Sequence, residues 1–299
     1  MIEAIRKREL ILLNSSGTSL VATCHRPHEV GSGSEQSSMG VLFLNALSVP
    51  RSASGDSAVY WADSFASFGY PAFRLDMSGL GDSDGDIPDD LVGFINSGGY
   101  RESLRNVVDE LVDRYNLSGM TVVGLCAGAV SAIYAAASSL KCQGLVLMDP
   151  YFHFPSTIRS QARDDLSNWA SQNNLGKVLR EIYGRMKQIR VNLQKKSLPQ
   201  NANRSLLDSW KKINAKGAPV LVLYAPGAKP RTGEFNYLSY ILTLAGSRNQ
   251  VTVQFVEGTD HSFANLKGRN AVREHTEQWL SAHFPFARQE NSADALRTH

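Results

Sequence analysis

Short apolar, β-branched runs bounded by Gly, Pro or Asn recur along the chain: 10–13, 19–24, 40–45, 71–77, 120–126, 144–149, 218–224 and 250–256. Their length and composition predict eight strands. From the third run onward they alternate with segments of helical spacing at 56–68, 100–115, 127–139 and 236–245, and a last helix is expected at 269–283. NSSGT joins the first two runs as a hairpin-like turn, which predicts an antiparallel pair. The later runs are almost continuously apolar, as strands covered on both faces by helices must be. The expectation is therefore an α/β chain with an eight-stranded, mostly parallel sheet.

The alternation breaks between 155 and 216, where no strand is predicted and LSNWA, KVLREIYGRMKQIRVNL and RSLLDSWKKI read as amphipathic helices. This interval reads as a helical lid inserted after the sixth strand. The domain reading is a core of 1–154 and 217–287, a lid of 155–216, and a flexible polar tail of 288–299; 31–38 reads as a Gly/Ser-rich loop. Charge follows the same division. The insertion holds 13 Lys plus Arg against 4 Asp plus Glu, so the chain's formal +3 conceals +9 in the insertion and −6 elsewhere.

Composition then removes whole classes. No apolar run reaches the roughly 20 residues of a membrane-spanning helix, and MIEAIRKREL lacks the apolar stretch of a secretory signal, so a cytoplasmic protein without a membrane span is expected. A net charge of +3 gives no ground for nucleic-acid binding. Three cysteines without a C-x-x-C are too few for a disulfide framework or a zinc site. Asp82 to Asp86 looks like a calcium loop, but its glycine comes too early and Gly93 occupies the twelfth position. Cys24, His25 and His28 lack the second cluster a metal site needs, and the two histidines read as surface positions. No phosphate-cradling glycine motif is present, and neither metal nor cofactor is expected.

One pentapeptide carries chemistry. Gly124-Leu125-Cys126-Ala127-Gly128 lies where a strand run stops and an Ala-rich helical run begins. G-x-S-x-G in that context is a nucleophile elbow, and here cysteine takes the serine place. A strained turn exposes the nucleophile, and small residues two before and two after let strand and helix approach.

A thiol nucleophile needs a base, a group to orient it and donors for an oxyanion. His261, in Glu257-Gly258-Thr259-Asp260-His261-Ser262-Phe263 after the last strand, stands where this chain order places the base. For the acid, Asp149 at the end of the sixth strand is favoured. Glu234 is the alternative, the first carboxylate after the seventh strand. The backbone N–H groups of Ala127 and of Leu47, in Asn45-Ala46-Leu47-Ser48, are the candidate oxyanion donors. Ala46, Tyr151 and His153 are candidate pocket residues.

With these pieces the chain resembles the α/β-hydrolase superfamily over nearly its whole length. Arg74-Leu75-Asp76-Met77-Ser78-Gly79-Leu80-Gly81-Asp82-Ser83 is similar to its R-x-D-x-x-G-x-G-x-S segment. The elbow with Leu147-Met148-Asp149-Pro150-Tyr151 resembles serine-aminopeptidase-like or exosortase-associated cysteine hydrolases. Thioesterases and carrier-protein acyl shuttles are similar too. Two departures stand out: Asn45-Ala46 replaces the usual His-Gly, and the usual aspartate after the seventh strand is absent.

The resemblance implies an acyl-transfer enzyme of bacterial secondary or lipid-type metabolism, working through a Cys126 thioester on a carrier-protein, coenzyme A or ester donor. The expected partners are a small acyl substrate and an acyl or peptidyl carrier protein docking on the basic lid. Alternatives are transfer of (amino)acyl groups between carriers, and a non-catalytic binding protein on the same fold.

Overall fold

The computed structural model describes residues 8–27, 37–154, 198–226, 235–246 and 251–285. Glu234, His28, most of the 31–38 loop, residues 155–197 of the predicted lid and the 288–299 tail lie outside the described residues.

Eight strands form one sheet: β1 (Arg8–Ser15), β2 (Thr18–His25), β3 (Met39–Phe43), β4 (Ala72–Leu75), β5 (Gly119–Leu125), β6 (Cys142–Met148), β7 (Val220–Tyr224) and β8 (Val251–Phe255). Their order is β1-β2-β4-β3-β5-β6-β7-β8. β2 pairs antiparallel with both β1 and β4, and every later pairing is parallel. The helices are α1 (Ser57–Ser67), α2 (Leu91–Asn96), α3 (Arg101–Arg114), α4 (Ala127–Ser138), α5 (Arg204–Lys216), α6 (Tyr237–Ala245) and α7 (Leu266–His283).

Why the central strands read as unbroken apolar runs is visible in the two cores. Alternate residues of a strand face opposite sides of a sheet. Leu42, Val122, Leu145, Leu147, Val220 and Val222 join one core with residues of α3, α4 and α5, while Val41, Phe43, Val123, Val146, Leu221 and Leu223 join the other with α1 and α7. The first and last strands of the sheet have weaker patterns. In β1, Leu10 and Leu12 point outward and are exposed, while Ile11 and Leu13 are buried.

Three features differ from the sequence reading. α2 was not predicted; six residues are too few to display a helical period. Second, α5, counted above with the insertion, belongs to the core. Its Leu206, Leu207, Trp210 and Ile213 are buried in the α3/α4 core, Trp210 Nε1 donates to the Ile241 carbonyl at 3.0 Å, and Gly217 ends the helix at φ +72°. Before Arg204, Phe154 N donates to Asn201 O (2.7 Å) and Asn203 N to Phe152 O (2.9 Å), which ties the described residues on either side of 155–197 to each other. Third, His25 is buried instead of lying at the surface. Its Nδ1 donates to Asp63 Oδ1 at 2.8 Å and its Nε2 accepts from Arg74 Nε at 2.9 Å, so both ring nitrogens are occupied. Burial first, then the Arg74 charge, press its pKa down to about 4, which keeps the ring neutral.

Candidate active site

The parallel strands deliver their C-terminal ends to one edge, and the predicted chemistry gathers there. Cys126 follows β5 directly at φ +54°, ψ −114°, a conformation in which a side chain is strained. Its N–H donates to Met148 O at 2.9 Å, and its carbonyl accepts from Ala129 N at 3.0 Å, so the turn is pinned on both sides. The two glycines of the motif are explained by contact. A Cβ on Gly124 would lie 2.2 Å from the Gly128 carbonyl oxygen, and one on Gly128 would lie 2.6 Å from the Asn45 carbonyl oxygen. Cys126 itself is partly exposed, whereas Cys24 and Cys142 are buried.

That second contact also places the loop after β3 against the start of α4. Ala127 opens α4, so its N–H has no partner within the helix. Leu47 turns the β3 loop at φ +53°. The loop is held by Asn45, which donates to Val49 O (2.8 Å) and Asp76 Oδ1 (2.9 Å) and accepts from Met77 N (2.8 Å). Asp76, fully buried, also accepts from Arg51 N (2.8 Å), from the Arg51 guanidinium and from Asp82 N (3.1 Å). Gly81 has no room for a side chain: a Cβ there would lie 2.2 Å from the Asp76 carboxyl carbon. The Arg74 to Ser83 motif is thus a scaffold for the loop that Asn45 opens.

Asp149 ends β6 at φ +44°, and its carboxylate is buried. Oδ1 accepts from Ala225 N at 2.8 Å, and Oδ2 bonds His261 Nδ1 at 2.7 Å. The segment after β7 therefore supports this acid with a backbone N–H. The Asp149 bond first, and the nearby Cys126 side chain second, push the His261 pKa up to about 10, favouring the imidazolium. Phe263, wholly buried, anchors the loop that carries His261. Asp260 accepts from Ser262 N and Oγ within that loop (2.9 and 2.6 Å) and so plays a turn-forming part.

Tyr151 and His153 line a cavity of about 980 Å³ that also touches Asp149 and His261. Asn96, buried at the end of α2, was not singled out by the sequence. It donates to the Tyr151 hydroxyl at 3.3 Å and accepts, through its carbonyl, from Tyr134 Oη and Asn203 Nδ2, both at 2.7 Å. No sequence motif marks it. Ala46 sits on the β3 loop beside Leu47 but outside the cavity wall. Among the described residues no three His, Cys, Asp or Glu side chains group as metal ligands, and no helix is long and apolar enough to cross a membrane.

A family model described as the alpha/beta hydrolase fold matches residues 42–177. No curated protein matches in sequence. Among solved structures, a Pyrococcus furiosus esterase is similar with a TM-score of 0.59 at 13% identity, covering 93% of this chain and 92% of its own. The α/β hydrolase GrgF from Penicillium is similar at 0.58 and 14% identity, covering 94% and 100%. A Xanthomonas campestris α/β serine hydrolase without a lid is similar at 0.54 and 14%, covering 91% and 95%. Identities this low speak for the fold.

Proposed function

We propose that this chain, whose structure has the α/β-hydrolase fold, is a hydrolase-type enzyme that moves acyl groups through a thioester on Cys126. One observation carries the reading: His261 Nδ1 bonds the buried Asp149 carboxylate at 2.7 Å, beside the strained turn that carries Cys126, whose side chain helps raise the pKa of the same imidazole.

In this mechanism the Cys126 proton rests on His261 as the imidazolium, and the thiolate sulfur attacks the acyl carbonyl carbon. Asp149 orients the ring and stabilises the imidazolium. The N–H groups of Ala127 and Leu47 receive the developing oxyanion. Collapse expels the leaving thiol or alcohol, which takes the proton from His261, and leaves a thioester acyl-enzyme. Water or another acceptor then attacks this thioester and gives its proton to His261, and the Cys126 sulfur departs as the thiolate beside the imidazolium.

A thioester donor is favoured because the acyl-enzyme formed from it has nearly the same free energy, so the acyl group stays activated. The charge of 155–203, with 9 Lys plus Arg against 3 Asp plus Glu, favours a donor carried on an acidic protein. The test is intact-mass detection of an acyl adduct after incubation with acyl thioesters and activated esters. The expected result is an adduct on the wild type and none on Cys126→Ala. Absence of adduct and turnover with every donor overturns the reading and favours a binding protein. Adding thiol or amine acceptors to trapped acyl-enzyme separates transferase from hydrolase.

A further inference from the structure

The cavity beside His261, about 980 Å³, lies at the upper end of the range of small-molecule pockets, about 300–1,000 Å³, and its accessible lining is mostly carbon. From the catalytic end a row of rings leads to α6. Tyr151, two residues after Asp149, stands edge-on to His153 with centroids 5.8 Å apart; His153 stacks on Tyr237 at 5.4 Å, and Phe235 is edge-on to Tyr237 at 4.8 Å. Pro150, Pro199 and Leu238 add aliphatic lining.

The charged groups gather at one end. Among the described lining residues, the carboxylates of Asp149 and Asp260 lie with the His261 imidazolium: Asp149 bonds it at 2.7 Å, and Asp260 precedes it in the loop. The two amides of the lining are engaged elsewhere. Asn236 Oδ1 accepts from Ser239 N at 2.9 Å and caps α6, and Asn201 Nδ2 donates to Phe154 O at 3.5 Å. The wall is also held from behind: Phe152 packs edge-on against Trp210 at 5.7 Å, and Tyr224 Oη donates to Pro150 O at 3.5 Å. Such a surface exists before a ligand arrives, so little ordering is needed on binding. A methylene moved from water onto it gains about threefold in affinity, whereas a carboxylate moved there without a partner is strongly disfavoured.

We propose that this cavity holds a neutral, medium-chain apolar acyl group, its carbonyl at the His261 end and its alkyl end toward α6. The inference rests on the acyl-transfer reading for the end at which the carbonyl sits, and on the lining for the rest.

Methyl ketones carry an alkyl chain on a carbonyl that has no leaving group, so they report on the cavity without turnover. The experiment is NMR titration of Cys126→Ala with 2-hexanone, 2-octanone, 2-decanone and 9-oxodecanoate, in which a carboxylate replaces the terminal methyl of 2-decanone. Affinity should rise about tenfold with each pair of added methylenes. The oxo acid should bind at least about tenfold more weakly than 2-decanone. Adding Leu238→Trp, which puts bulk on the α6 wall, should lower the 2-decanone affinity about tenfold and leave 2-hexanone within about twofold. A flat dependence on chain length overturns the proposal on the Cys126→Ala protein alone, and so does an oxo acid that matches 2-decanone. A chain-length dependence that Leu238→Trp leaves intact puts the binding outside this cavity and overturns it too. The expected selectivity in a protein whose Cys126 never acylates would overturn the enzyme reading alone, and acylation without that selectivity would overturn this one alone.

Discussion

Asp149 and His261 stand 112 residues apart in the chain and 2.7 Å apart in the fold. The acid comes from the end of β6, and the residue after β7, Ala225, contributes an N–H to it. Asp149→Asn should therefore lower kcat by about 10³–10⁴-fold with little change in KM, because the ring loses its orienting charge and tautomer. Glu234→Gln should leave kcat within about twofold of the wild type. Steady-state thioester hydrolysis by both variants checks this, and the reverse pattern would transfer the acid's role to Glu234.

Gly128 is where the elbow and the β3 loop meet. Gly128→Ala forces a methyl into the Asn45 carbonyl and should cost about 1–3 kcal/mol in urea unfolding. It should also lower kcat by pushing the Leu47 loop away from Ala127. Cys126→Ser, which adds no volume, should retain the parent stability within about 0.5 kcal/mol. Equal stability of Gly128→Ala and the parent would refute the steric account.

Besides the Val49 carbonyl, Asn45 satisfies two partners in the Asp76 segment, Met77 N and Asp76 Oδ1. Asn45→Ala leaves both short of a bond in a buried place and should cost about 1–3 kcal/mol. The activity loss should fall on kcat more than KM, since the loop carries a proposed oxyanion donor and no cavity wall. Asn45→Asp keeps the acceptor but sets a second carboxylate against Asp76, and should be worse than Ala. Thermal melts with kinetics on the two variants decide the point.

His25 makes the fold sensitive to acid. Its pKa is lowered in the folded protein to about 4, against about 6.5 when unfolded. The unfolded chain therefore binds the extra proton between these values, and stability falls as pH drops from about 6.5 toward 4. Between pH 7 and 5 the loss from this residue should be on the order of 2 kcal/mol. Urea unfolding at the two pH values should show a smaller decline in His25→Gln than in the wild type. An identical decline would place the acid sensitivity elsewhere.

If a carrier protein presents the donor, its acidic surface should meet the basic stretch 155–203. Charge reversal at Lys195 and Lys196 should then raise KM about tenfold for a carrier-linked donor, the cost of losing close interfacial charge pairs. KM for a small thioester of the same acyl group should be unchanged. Added salt should reproduce the effect on the wild type. Equal KM changes with both donors would exclude docking through these lysines.

The strands, the elbow and the position of His261 were legible in the chain because each is governed by neighbours in sequence. Two-residue alternation and apolar run length mark a strand wherever it later sits. The Gly-x-Cys-x-Gly spacing records a steric demand that acts over five residues, and the contacts of Gly124 and Gly128 show that demand met. α2 and Asn96 were not legible, since six residues have no period to read and the partners of Asn96 lie at Tyr134, Tyr151 and Asn203. The helix Arg204–Lys216 carries charge like the insertion before it, and only the burial of Trp210 and its neighbours assigns it to the core.

By itself, then, the sequence determined which segments become strands and helices and which cysteine stands at a strained turn, because local stereochemistry and solvent partitioning act along the chain. The tertiary structure decided which carboxylate meets His261, whether His25 faces water or Asp63, and which rings surround the cavity. Those outcomes depend on the strand order β5-β6-β7-β8, which lays the ends of distant segments side by side, and no periodicity within a segment encodes its neighbour.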